Sequence, residues 1–331
     1  MAKTTGRKRA DPSRAARRRT LLLVGFALFV VADIALAAVA LTGARTPADT
    51  PANTAAPVAP QSSSAAPSPS STPTPIPTVP PVAAVLPTRI IVAADASLAW
   101  RATTGACPAT QATPEITTNS GAKWTATNAT TPTGVRSLQS IAIEGKRVAS
   151  MIGQAGQDCS VELVRTFVSG TNYEKYPAAL AGAWFINPLD RASIHTPAGT
   201  FFPAPCKTAL VLVHRNASSA AVLCDDQTLH TTKDGGSTWS GSVSIRGALN
   251  LAPSAAGYVV AAVGSDACKG VQVLSIAEPA ETAATATGCL PTDAPPSTLS
   301  GNITLSEGAG TLWLWAGDVL KRSTDGGVSW L

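Results

Sequence analysis

The side chains with which this chain could do chemistry are few and widely spaced. Three tyrosines (Tyr173, Tyr176, Tyr258) and the arginines Arg101, Arg136, Arg147, Arg165, Arg191, Arg215, Arg246 and Arg322 are spread over its C-terminal part. Converging arginines could clamp a carboxylate, and a tyrosine activated by a neighbouring glutamate could attack a sugar carbon. Nothing in their spacing gathers them. His195, His214 and His230 keep no metal-ligand spacing, the six cysteines contain no C-x-x-C pair, and neither a G-x-S-x-G turn nor a phosphate-cradling glycine loop is present. The sequence therefore assigns no catalytic residue, no metal and no cofactor. One stretch joins aromatic bulk to polar groups: Ala183–Pro188 with Ile194–Pro197, where Trp184, Phe185 and His195 could line a ligand face. A loop held down by its own aromatics is the competing reading.

The elements that would position these groups are announced by a repeat. Thr232-Lys233-Asp234-Gly235-Gly236-Ser237-Thr238-Trp239 returns as Ser323-Thr324-Asp325-Gly326-Gly327-Val328-Ser329-Trp330. A worn third copy, Thr117-Thr118-Asn119-Ser120-Gly121-Ala122-Lys123-Trp124, replaces Asp with Asn and the second hydroxyl residue with Lys. Asp and Ser/Thr side chains accept hydrogen bonds from backbone N–H groups just ahead of them, and glycine supplies positive φ, so the octet can fix a tight turn by itself. The indole that follows has a large surface to bury. As metal ligands, Asp234 and Asp325 would leave the fixed Trp offset unexplained.

This octet resembles the Asp-box, or BNR repeat, Ser/Thr-x-Asp-x-Gly-x-Thr/Ser-Trp, of sialidases, sortilin-type receptors and photosystem assembly factors. The resemblance covers roughly residues 88–331 and implies a β-propeller. Short apolar runs separated by Gly, Pro, Asn, Asp and Ser independently argue for an all-β fold of many short strands. We expect about five four-stranded blades, within a range of five to seven, with Ala178–Pro205 either a long insertion or a sixth. Trp124 and Trp239 are 115 residues apart and Trp239 and Trp330 are 91 apart, about two blades each at 40–50 residues per blade. A strand at Val82–Leu86 would complete the last blade and close the ring. In that layout all six cysteines share the face opposite the repeat turns, which pairs Cys206–Cys224 and Cys268–Cys289 within blades and Cys107–Cys159 between neighbours. The sialidase catalytic set is not carried over, since Thr88-Arg89-Ile90-Ile91 lacks the Phe and Pro of the family's F-R-I-P motif.

The N-terminal part is of another kind. Residues 1–19 hold eight Lys/Arg against Asp11, a net +7, whereas the whole chain is +5, so the remainder carries −2. Lys and Arg are scattered in the later domain, so no nucleic-acid partner is expected. Residues 20–42 contain one charge, Asp33. At roughly 2.5–3.5 kcal/mol it is outweighed by thirteen Leu, Ile, Val and Phe residues returning roughly 4–8 kcal/mol. The run is long enough to span a bilayer, and its positive flank sets the N-terminus in the cytoplasm. A cleaved signal peptide with an A-x-A site near Ala37 or Ala40 is the alternative and would give a secreted protein. Residues 43–87, rich in Pro, Ala, Ser and Thr, read as a disordered spacer.

Taken together, these features predict a membrane-anchored extracytoplasmic propeller acting as a binding or scaffold module, in a bacterium of actinobacterial type. Its partner would be a cell-wall glycan or another exported or membrane protein. A sialidase-like glycoside hydrolase is the alternative, and an assembly factor for a membrane complex the third.

Overall fold

Alternation of side chains along each strand decides the architecture. In Thr311–Ala316, Leu312, Leu314 and Ala316 turn to one side and join Val259, Ala261 and Val263 of the sheet before. Trp313 turns to the other and meets Ile91, Ala93 and Ala99 of the first sheet. Both faces are buried, so each sheet is sandwiched between two neighbours. The computed structural model describes residues 82–278 and 283–331. The expected span at 20–42, and nearly all of the spacer, lie outside the described residues, among which no helix is long and apolar enough to cross a membrane.

Six sheets form a six-bladed β-propeller. Blade 1 contains β1 (Arg89–Ala93), β2 (Ala99–Thr103), β3 (Glu115–Thr117) and β4 (Thr125–Ala126). Blade 2 contains β5 (Val135–Ile143), β6 (Ala149–Ala155), β7 (Ser160–Thr166) and β8 (Glu174–Lys175). Blade 3 is β9 (Phe185–Ile186), β10 (Ser193–His195) and β11 (Phe201–Pro203). Blade 4 is β12 (Ala209–His214), β13 (Ala220–Cys224), β14 (Thr228–Thr232) and β15 (Val243–Ser244). Blade 5 is β16 (Ala248–Pro253), β17 (Gly257–Ser265), β18 (Cys268–Ala277) and β19 (Thr285–Pro291), and blade 6 is β20 (Ile303–Gly308), β21 (Thr311–Ala316) and β22 (Val319–Ser323). Within each blade, consecutive strands pair antiparallel.

Six falls within the expected range of five to seven, and the segment Ala178–Pro205 is the sixth blade rather than an insertion. Trp124 and Trp239 are separated by three blades rather than two, because the outer strands of blades 1 and 2 are two residues long and blade 3 is compressed. In blade 3, Trp184 stands just before β9 and donates its Nε1 to Asn216 O at 3.1 Å, in the β12–β13 turn. Trp313, in the second strand of blade 6, does the same to Asp95 O at 3.0 Å in the β1–β2 turn. By this correspondence β9 is a second strand and blade 3 has no inner one. A helical turn, Pro177–Leu180, occupies that stretch of sequence. Gln139 of β5 substitutes for the missing backbone: its Nε2 donates to Ile186 O and its Oε1 accepts from Ile186 N, both at 2.8 Å.

Val82–Leu86 is also not the strand expected of it. This segment runs along the cysteine-bearing face as a strap: Gln227 Nε2 donates to Val82 O at 2.6 Å and Ser300 Oγ to Ala83 O at 2.5 Å. Val82 and Ala84 cover the cluster containing Leu299 and Ile303. Blade 6 keeps three strands, with Leu331 N donating to Arg322 O at 2.8 Å beside β22. Cys107–Cys159 joins blades 1 and 2, Cys206–Cys224 ties the entry of blade 4, and Cys268–Cys289 spans blade 5. These are the pairs the strand layout assigns. Three disulfides and no free cysteine suit an oxidising, extracytoplasmic compartment.

Candidate binding surface

The repeat turns are closed by their own side chains. Thr117, Thr232 and Ser323 hydroxyls accept the N–H of Gly121, Gly236 and Gly327 at 3.0, 3.0 and 2.8 Å. Asp234 takes the Thr238 N–H on Oδ1 at 2.9 Å and the Thr238 hydroxyl on Oδ2 at 2.5 Å; Asp325 does the same with Ser329 at the same distances. Asn119 accepts the Lys123 N–H at 2.9 Å and the Thr117 hydroxyl at 3.0 Å, both on Oδ1. Lys123 has no hydroxyl, so the second oxygen is dispensable there and Asn suffices. Hydrogen bonds from Thr238, then Thr232, hold the Asp234 carboxyl down at about 2, and those from Ser329 and Ser323 hold Asp325 lower still.

Each turn glycine has positive φ and packs on the preceding blade. A Cβ on Gly121 (φ +81°) would lie 3.2 Å from the Trp313 ring, one on Gly236 (φ +88°) 3.1 Å from Thr196 Cγ2, and one on Gly327 (φ +95°) 3.1 Å from Val273 Cγ2. Blade 2 carries a fourth such turn. Thr166 Oγ1 accepts Gly170 N at 2.9 Å, and Tyr173 stands where the others have Trp. The hydroxyl, glycine and aromatic ring keep the shared spacing of four and then three residues, which was the signal available in the sequence. A smaller repeat was also missed. Asp95-Ala96-Ser97 and Asn216-Ala217-Ser218 form matching turns, in which Asp95 and Asn216 Oδ1 accept the serine N–H at 2.6 and 2.9 Å.

Blades 6 and 1 meet along a ladder of cations and indoles. Arg322 lies 5.4 Å over Trp313, whose ring meets Trp124 edge-on at 6.2 Å. Arg101 lies 4.2 Å over Trp124 and 5.0 Å over Trp315, and Arg89 is 4.4 Å from Trp315 on its other flank. Arg101 also pairs with Glu115 at 2.6 Å, and Arg322 donates to Ala96 O at 2.9 Å. These arginines close the ring.

The expected ligand face is not open. Trp184, Phe185 and His195 are 5, 4 and 8% exposed. Phe185 stacks on His195 at 4.4 Å, Phe201 covers both edge-on, and His195 Nδ1 is 2.8 Å from Ala183 O. Without an inner strand, blade 3 fills its own core with these rings. Arg191 and Arg165 are used within or next to their own blades. Arg191, which burial pulls down to about 10, donates to Ala209 O and Leu210 O, and Arg165 pairs with Glu144 at 2.9 Å. Tyrosine, glutamate and arginine meet twice: in blade 2 Tyr176 OH donates to Glu174 Oε2 at 3.3 Å with Arg165 5.1 Å from its ring, and a second group stands between blades 4 and 5. Tyr258 OH donates to Glu278 Oε1 at 3.2 Å, and Arg215 pairs with Glu278 Oε2 at 2.5 Å. Tyr258 is fully buried, and burial first and Glu278 second push its phenol far above its usual range, so it is held protonated. Among the described residues no His, Cys, Asp and Glu cluster could hold a metal ion.

A cleft of about 250 Å³ opens between blades 5 and 6 on the face of the repeat turns. Val259, Leu312, Ala255 and Ala256 form its apolar walls, with Ser275 and Glu307 among its polar lining.

Strand order and closure define the class as a six-bladed β-propeller. No family model and no curated protein matches the chain. Solved structures similar to it include YCF48 bound to a D1 peptide, at 17% identity over 76% of this chain and 81% of that one, with a TM-score of 0.29. The Niastella koreensis GH74 enzyme matches at 10% identity over 73% of this chain and 46% of its own, TM-score 0.40. The GH74 xyloglucanase from Xanthomonas campestris matches at 18% identity over 73% and 37%, TM-score 0.29.

Proposed function

We propose that this is a single-pass membrane protein of bacterial type whose propeller, residues 88–331, works outside the cytoplasm as a binding or scaffold module for a protein or glycan. Residues 1–19 form the cytoplasmic flank, 20–42 the anchor and 43–87 the spacer. The repeat turns belong to the Asp-box type. Three disulfides support the compartment, and the basic flank beside an apolar run supports the anchor.

One observation carries the non-catalytic reading. Tyrosine, glutamate and arginine meet in two places among the described residues, and each holds a single arginine rather than a converging set: Tyr176 and Glu174 with Arg165, itself paired with Glu144, in blade 2, and Tyr258 and Glu278 with Arg215 between blades 4 and 5, where the phenol is buried and protonated. A nucleophilic tyrosine needs access and a lowered, not a raised, pKa. The alternative is a glycoside hydrolase. The third reading, an assembly factor for a membrane complex, needs free arginines on one face, whereas Arg89, Arg101 and Arg322 are bound into the seam. Incubating the full chain with a panel of fluorogenic glycosides is expected to release no fluorophore above buffer; turnover abolished by E278Q or by E174Q would overturn the module reading. Fractionation of cells is expected to leave the chain in carbonate-washed membranes, with the propeller accessible to added protease.

A further inference from the structure

Glu307 is the penultimate residue of β20, at the cleft between blades 5 and 6. It is half-buried, its Oε1 accepts a single long N–H from Ala255 at 3.4 Å, and no cation among the described residues pairs with it. Across the same turn, Glu278 is neutralised by Arg215, whose other nitrogen donates to Ala255 O at 3.3 Å. Asp325, next to the lining residue Gly326, stays ionised because its turn lowers its pKa. The opening thus carries net negative charge, its nearby cation, Arg215, being spent on Glu278. The strap at Val82–Leu86 runs on the opposite face and leaves it uncovered.

We propose that this cleft receives a lysine side chain of an exported or membrane-bound protein. The inference rests on the binding-module reading and names the chemistry of its partner. Val259 and Leu312, with the methyls of Ala255 and Ala256, match a run of methylenes, and Glu307 with the Ser254 and Ser275 hydroxyls matches the ammonium. A guanidinium binds best to two free coplanar oxygens, and one oxygen of Glu307 is already engaged; a compact ammonium needs only one. An amino sugar would look for an aromatic ring to stack on, and no aromatic side chain lines the cleft.

The test is calorimetric titration of the full chain in detergent with acetyl-Ala-Lys-Ala-amide, its norleucine counterpart and glucosamine. The lysine peptide is expected to bind about tenfold more tightly than the norleucine peptide, a preference that E307Q removes. E307K should shift the preference to acetyl-Ala-Glu-Ala-amide. A256W, on an exposed turn, should block the lysine peptide while leaving the melting temperature unchanged. No binding of the lysine peptide, equal binding of lysine and norleucine, persistence of the preference in E307Q, or tighter binding of glucosamine would each overturn the proposal. Glycoside turnover would overturn the module reading itself, whereas loss of lysine selectivity without turnover overturns only the assignment of this cleft.

Discussion

Asp234 and Asp325 are surface carboxylates whose oxygens are spent on the backbone and hydroxyls of their own turns. Their folded pKa values lie below that of an unfolded Asp, so the stability they contribute is present above about pH 4 and lost as pH falls toward about 2. The melting temperature of the propeller is therefore expected to drop across that window. D234N should flatten the drop, and Asn119 shows that an amide still holds the main-chain bond. A thermal melt series from pH 6 to pH 2 checks both. Gly236 is constrained twice, by φ of +88° and by Thr196 and Trp184 in the blade before. G236A should cost about 1–3 kcal/mol in urea unfolding, from backbone strain and a contact that must give way. These turns are legible in the sequence because every bond that shapes them is local. The fourth turn hides because it keeps only Thr166, Gly170 and Tyr173, without an acid to mark it.

Blade 3 is where an element was illegible. Its inner strand is absent, and its edge is satisfied by Gln139, 47 residues earlier in the chain, so no local pattern could announce it. The cluster Trp184, Phe185 and His195 reads as a ligand face for the same reason: beyond the local Phe201, the side chains that bury it, Val222 against Trp184 and Ile152 and Leu163 against Phe185, come from neighbouring blades. Q139A would leave the N–H and C=O of Ile186 without partners, at a cost of about 1–3 kcal/mol. Q139E, which keeps the acceptor for Ile186 N–H but not the donor for its carbonyl, should fall between. Hydrogen exchange at Ile186 is the sensitive readout, with faster exchange expected in Q139A than in the parent.

On the scale of the whole molecule, disulfides and the seam do different jobs. Cys107 and Cys159 are 52 residues apart and join two blades, so C107S/C159S should lose about 2–4 kcal/mol. R101A removes a guanidinium that two indoles share and should lose about 0.5–2 kcal/mol. Equilibrium urea unfolding compares the two, and their costs should add, because the bridge and the ladder share no partner. Tryptophan spacing left the blade number between five and seven because it assumes equal blades. These are unequal.

A ring fastened by edge-to-face indoles and guanidinium planes, with no strand shared between its first and last sheets, has a preferred tear line. Drawn apart by tweezers from Val82 and Leu331, the molecule should unzip there first, peeling Gln227 and Ser300 off the strap before any sheet dissolves. Blades 4 and 5 would rupture later and in larger steps, each held by its own sulfur bridge.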